Sequence, residues 1–200
     1  MEGIGTGLNV VARQEGALEE SQPEKLVVVM NFYRDAELRG ARLLLNLHRH
    51  LRDADSQFKL TRHLADETRH AWLWTRRITE AGGVPKSIGD GYQHRLGLRI
   101  GVPKDTLELL ALTLVAENRA LDRYRSHAAR PDVDSGTLAV LKAVSGDEQW
   151  HLAWIREKLR EIAADRGVEE RGIQILDRYV AIEREVYAGF EAEEAELVSR

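Results

Sequence analysis

Two stretches of this chain repeat the same arrangement of ionisable side chains. Ala36-Glu37-Leu38-Arg39 is echoed by Ala116-Glu117-Asn118-Arg119, an offset of 117 − 37 = 80. Asp66-Glu67-Thr68-Arg69-His70 is echoed by Asp147-Glu148-Gln149-Trp150-His151, an offset of 148 − 67 = 81. Each half is therefore a segment bearing one Glu, followed by a segment bearing Asp-Glu-x-x-His. Apolar residues recur every third or fourth position through all four segments, which predicts four helices. Residues three apart share a helix face, so the Glu and His of each motif project together. Because these groups sit on otherwise apolar stripes, they must meet one another or a ligand inside a bundle; each alone in a core would be costly. Two helical hairpins related by a pseudo-twofold axis follow.

The first helix is expected from about Pro23 to His50, with Met30, Tyr33, Glu37, Ala41, Leu44 and His48 inward. The second runs from about Asp55 to Ala81, with Leu60, His63, Glu67, His70, Trp74 and Ile78 on one face, and Gly82-Gly83 stops it. Residues 82–104 show no clear helical periodicity and read as a long crossover between the second and third helices. Asp105-x-x-Glu108 looks like the capping box of the third helix, which continues to about Ala129 with Leu110, Leu114, Glu117, Leu121 and Tyr124 aligned. Asp134 is placed to cap the fourth, whose stripe carries Leu141, Glu148, His151, Ile155 and Leu159. A fifth helix is expected over 169–198, with Leu176, Val180, Tyr187 and Phe190 on its apolar side, packed outside the core or in a subunit contact. The expected organisation is a flexible tail at 1–21 and a single domain over 22–200, with its core bundle at 23–166.

The repeat supplies four carboxylates and two imidazoles to one interior. Two divalent ions carry a charge that four carboxylates would balance. Without metal, the carboxylates would repel one another and be strongly desolvated. Carboxylate and imidazole donors suit iron or manganese. The chain contains no cysteine, which removes disulfides, thiolate-bound zinc, iron–sulfur clusters and thiolate catalysis together. A net charge of −4 argues against general nucleic-acid binding. No window is apolar enough for a membrane span and the N-terminal stretch does not read as a signal peptide, so a cytoplasmic location is expected.

With these motifs in place, the chain resembles the ferritin-like diiron-carboxylate superfamily, over roughly residues 23–166. The implied fold is all-α: a ferritin-like four-helix bundle with a long crossover between helices 2 and 3, plus an additional C-terminal helix. The resemblance implies two Fe ions, with Mn as the alternative metal. Glu37 and His70 would bind one ion, Glu117 and His151 the other, and Glu67 and Glu148 would bridge. Asp66 and Asp147 resemble the residues that accept the second ring N–H of a ligand histidine in many oxygen-activating members. Trp150 stands where the second motif would carry the counterpart of Arg69. The full Asp-Glu-x-Arg-His form and the long last helix imply an oxidase or oxygenase that activates O2 to oxidise or hydroxylate a small organic substrate. Such an enzyme draws on an external electron donor; a homodimer and a tRNA substrate stay open. The alternative is a ferroxidase and iron-storage protein of ferritin type.

Other residues carry plainer expectations. Tyr33 and Tyr124 are read as core packing with satisfied hydroxyls, and Trp74 and Trp154 as bulky shielding of the site. His63, one turn before Glu67, is read as a hydrogen-bonded core histidine rather than an extra ligand. Glu183 is expected to pair with a neighbouring arginine, Trp72 to face outward, and His48, His50, His94 and His127 to lie at the surface or at helix ends.

Overall fold

The computed structural model describes residues 22–199, and the tail expected at 1–21 lies outside them. The described residues form six helices: α1 Gln22–Leu47, α2 Ala54–Glu80, α3 Tyr92–Ile100, α4 Thr106–Ala128, α5 Ser135–Asp165 and α6 Glu169–Ser199. Helices α1 and α2 pack as one hairpin and α4 and α5 as the other, with α1 facing α4 and α2 facing α5. These are the two hairpins that the repeat predicts, in the bundle that the resemblance implies, with one helix more than four plus one among the described residues.

The additional helix is α3, inside the stretch read as structureless crossover. Only Tyr92 and Leu96 of its nine residues are buried, Gly97 lies within it, and Gly101 ends it at φ 81°. Its stripe is thus a single i,i+4 pair, too short to rise above the glycines around it. Tyr92 and Leu96 belong to the same buried cluster as Phe190 of α6, and the Tyr92 and Tyr187 rings meet edge to face with centroids 5.8 Å apart.

Helix starts follow their local chemistry. The Asp53, Asp105 and Asp134 carboxylates accept hydrogen bonds from the Ser56, Glu108 and Thr137 amides at 2.8, 3.1 and 2.9 Å. Each satisfies an amide that has no partner within its helix, a contribution of about 1 kcal/mol. Glu108 completes its cap by accepting from the Lys104 amide at 2.8 Å.

The C-terminal helix lies against α4, α3 and α5. Its fully buried line is Ile175, Tyr179, Glu183, Val186 and Phe190, whereas Leu176, Val180 and Tyr187 pack at the edge. Phe190 is buried as expected, and the other three expected positions are each displaced by one residue, because two neighbouring lines on this helix both satisfy the helical period. Glu183 is held by Arg119 at 2.7 and 3.0 Å and by the Tyr92 hydroxyl at 3.2 Å. That buried ion pair fixes the rotation of α6 against α4 and α3.

The apolar interior is divided. One cluster includes Leu44, Leu60, Leu110 and Ile155, toward one end of the four-helix core. A smaller one, around Met30, Tyr33, Trp74, Tyr124 and Leu141, fills the other. Between them lies a layer of buried ionisable side chains.

Candidate metal centre

All six residues singled out by the repeat lie in that layer. Glu37, Glu67, His70, Glu117, Glu148 and His151 are each no more than 5% exposed. They come from four helices: Glu37 from α1, Glu67 and His70 from α2, Glu117 from α4, and Glu148 and His151 from α5. Their donor atoms fall into two groups within 4.8 Å, one of Glu37, Glu67, His70 and Glu148, the other of His63, Glu67, Glu117 and His151.

The distances give the arrangement. His70 Nδ1 lies 3.3 Å from Glu37 and 3.5 Å from Glu148. His151 Nδ1 lies 3.1 Å from Glu148 and 3.7 Å from Glu67. Glu148 thus stands between the two histidines, and Glu67 belongs to both groups. The second ring nitrogens point outward to the aspartates, and they do so crosswise. His70 Nε2 meets Asp147 of the other motif at 3.1 Å, and His151 Nε2 meets Asp66 at 3.3 Å. Arg69 makes a short contact with Asp147 and lies 3.6 Å from Asp66. One arginine therefore serves both aspartates, which explains why the second motif carries Trp150 instead; that ring is covered by Arg62 at 4.0 Å.

Electrostatics show what this layer lacks. Burial, with Glu117, Glu37 and Glu148 around it, pushes the Glu67 carboxyl well up. Burial and Glu148 push Glu117 up to about 7 despite His63. For His70, burial opposes the charged form, but Glu37 and Glu148 outweigh it and raise the imidazole to about 11. His151 is raised in the same way, burial being overcome chiefly by Glu148. Two carboxyls pushed up beside two imidazoles pushed up mark a crowded acidic layer.

The residues present fit a pair of metal ions. Glu67 Oε1, His70 Nδ1 and Glu148 Oε1 are buried with no hydrogen-bond partner. Orphaned buried polar atoms cost about 1–3 kcal/mol each, and these three belong to residues of the two donor groups. Gly40, three residues after Glu37, makes room for the cluster: a Cβ there would lie 2.0 Å from Glu67 Oε2.

Two residues do more than their plainer expectations. His63 is hydrogen-bonded as expected, its Nδ1 accepting from Trp154 Nε1 at 3.1 Å, yet its other nitrogen faces Glu67 and Glu117. Position 63 lies four residues before Glu67 on the same stripe, which was the available signal. Tyr124 donates a short hydrogen bond from its hydroxyl to Glu37, so it touches the centre rather than only packing beside it. Tyr124 meets Tyr33 at 5.0 Å between ring centroids, and the Tyr33 hydroxyl meets His127 Nδ1 at 3.1 Å. His127 lies in the last turn of α4, the helix-end position expected for it, and is held there by Tyr33. Trp72 faces outward, 60% exposed, as expected.

No helix among the described residues is long and apolar enough to cross a membrane. No known family model matches the chain, and no curated protein matches it. Among solved structures, the chain is similar to a dodecameric thioferritin, the bacterioferritin-related protein of Bacteroides fragilis. The TM-score is 0.59 at 21% identity, over 72% of this chain and 90% of that one. At that identity the likeness speaks to the fold. The chain therefore has a ferritin-like fold, and its buried His and Glu side chains have a geometry consistent with a dinuclear iron site.

Proposed function

We propose that this chain binds two iron ions in the divided core and oxidises Fe(II) with O2, as a ferroxidase of ferritin type. Glu37 and His70 would hold one ion, Glu117 and His151 the other, and Glu67 and Glu148 would be shared. The observation that carries the reading is the set of buried carboxylate and imidazole atoms without partners at the meeting point of four helices. Iron supplies the one-electron redox chemistry by which O2 is reduced. The chain's own residues supply the rest. Asp147 and Asp66 accept from the Nε2–H groups of His70 and His151, which turns each Nδ1 lone pair inward. The Tyr124 hydroxyl holds Glu37. Burial raises the proton affinity of Glu67 and Glu117, so cations binding there would compete with protons and loading should release acid.

The likeness to a bacterioferritin-related dodecamer supports iron handling over the oxidation of an organic substrate, and makes self-assembly worth measuring. Anaerobic Fe(II) titration, then O2 uptake and native mass, tests the proposal. Two ions per chain, O2 consumed in proportion to Fe(II), and a closed multi-subunit particle are expected. Fewer than one tightly bound ion per chain would refute it.

A second reading, a diiron oxidase of a small organic molecule, is favoured by one observation. A cavity of about 730 Å³ is lined by Tyr33, Arg123, His127 and Tyr187, among others. Tyr33 is in ring contact with Tyr124, which reaches Glu37. Sustained O2 uptake that depends on an added organic compound and an external reductant, from a monomer or dimer, would favour this reading over storage.

A further inference from the structure

Three histidines surround the centre, and one of them is held differently. His70 and His151 turn Nδ1 inward and give Nε2 to an aspartate. His63 turns Nε2 inward, 3.4 Å from Glu67 Oε1 and 3.4 Å from Glu117 Oε1. Its Nδ1 faces the indole nitrogen of Trp154 at 3.1 Å. An indole N–H donates and never accepts. The lone pair in that bond therefore belongs to His63 Nδ1, and the ring proton of the neutral imidazole sits on Nε2. A nitrogen that carries a proton has no lone pair to offer a cation. The ring cannot readily turn to exchange its nitrogens, because it stacks on His151 at 3.6 Å and 24° and meets Trp154 edge to face.

We propose that His63 is a positioning residue, an N–H donor to the Glu67 and Glu117 carboxylates, and that Trp154 keeps it out of the metal's coordination by fixing its tautomer. The inference rests on the proposed ligand set and adds a limit to it: two histidine ligands, although three histidines line the site.

The broken repeat supports this assignment. The position equivalent to His63 in the second half, 63 + 81, is Val144, and the position equivalent to Tyr124 in the first half, 124 − 80, is Leu44. Both are fully buried apolar residues. One neutral donor thus approaches each unshared glutamate, the Tyr124 hydroxyl at Glu37 and the His63 N–H at Glu117, although neither donor is part of the repeat. The two donors do the same work from unrelated positions. A ligand role for His63 would break that correspondence and set its displaced proton against the Trp154 N–H.

Histidine-¹⁵N NMR on the full chain, metal-free and loaded with Zn(II) as a diamagnetic stand-in, tests the inference. In both states His63 should show a protonated Nε2 and an unprotonated, hydrogen-bonded Nδ1, while the Nδ1 signals of His70 and His151 move to metal-bound positions. In Trp154→Phe the tautomer is released, and the count of metal-bound histidines should rise from two to three. A metal-bound Nε2 on His63 in the wild-type protein would overturn the inference, as would an Nδ1-protonated His63 in the metal-free protein. Both readouts come from the wild-type chain and survive a poorly folded variant. The ligand set is scored separately: if His70 and His151 do not respond to Zn(II), that reading fails, whatever the tautomer of His63.

Discussion

Gly40→Ala separates stability from metal binding. The new Cβ would stand 2.0 Å from Glu67 Oε2, and ordinary contact begins near 3.4 Å, so the carboxylate must retreat by 3.4 − 2.0 = 1.4 Å. Ligand constellations tolerate displacements of about 0.5 Å, so this shift is roughly three times too large. Glu67 is 2% exposed and belongs to both donor groups, so moving it disturbs both ions. Ion affinity should fall by at least about 10–100-fold, the range seen for disturbing residues that merely orient ligands. The metal-free helix gains from the change, since Ala is favoured over Gly by about 0.8–1.0 kcal/mol, less about 0.5–1.5 kcal/mol if Glu67 is pushed off its rotamer. The metal-free melting temperature should therefore stay within about 4 °C of wild type. A 100-fold affinity loss removes about 2.7 kcal/mol of metal-linked stabilisation, so the rise in melting temperature on loading should shrink by about 5–11 °C. Gly146→Ala in α5 is the control, because a Cβ there meets nothing within 4 Å. Calorimetric titration with Fe(II) under nitrogen, paired with thermal melts, reads both quantities. Wild-type affinity for two ions in Gly40→Ala would refute the placement of the metals beside Glu67.

Other outcomes follow from the same geometry. Asp147→Asn should weaken metal binding about 10–100-fold and act first on the His70 side, because the pairing is crossed; equal loss at both ions would contradict this. Glu183→Ala should cost about 3 kcal/mol by leaving Arg119 beside an empty site, with metal stoichiometry unchanged in the same preparation. Metal-free stability should fall as pH rises from 7 toward 10. The folded protein holds a proton on His70 up to about 11 whereas the unfolded chain releases it near 6.5, so stabilisation present below 6.5 is lost above it. The slope approaches about 1.4 kcal/mol per pH unit for one such group, and chemical denaturation across that range reads it. Between pH 4.5 and 7, Glu117, held up to about 7, and Glu67, also pushed up, pull in the same direction, and His63, pushed by burial down to about 4, pulls against them, so a shallower fall is expected there.

How much of this could be read in advance depended on whether a feature lies along one helix or between two. The six ionisable residues were legible because charges on an apolar stripe, repeated at matching offsets on four helices, have to be buried together. The Asp105 and Asp134 caps were legible because each is a contact between residues three apart, whereas Asp53 caps α2 just ahead of the expected start at Asp55. Helix α3 was not, since a nine-residue helix with two buried side chains and an internal glycine leaves almost no periodic signal. On α6, Phe190 was found but the other three positions were missed by one residue, because only its partners α3 and α4 decide which of two adjacent lines faces inward. His63 was placed on the correct face, but its role is set by Trp154, ninety-one residues away. No pattern within α2 reports which nitrogen that indole will reach.

The crossed aspartate–histidine pairs also bear on how such a chain arises and drifts. Neither hairpin completes its own motif, since the aspartate of each orients the histidine of the other. A single hairpin would meet that need only by pairing with a second copy of itself, as two halves of an isologous dimer do. Joined in one chain, the halves are no longer obliged to stay identical, and Arg69 with Trp150 shows how far they have parted: one arginine now serves both aspartates. The aspartates themselves stay tied to each other's fate. A loss at position 66 is felt at His151, and one at 147 at His70, so each half constrains the evolution of its twin.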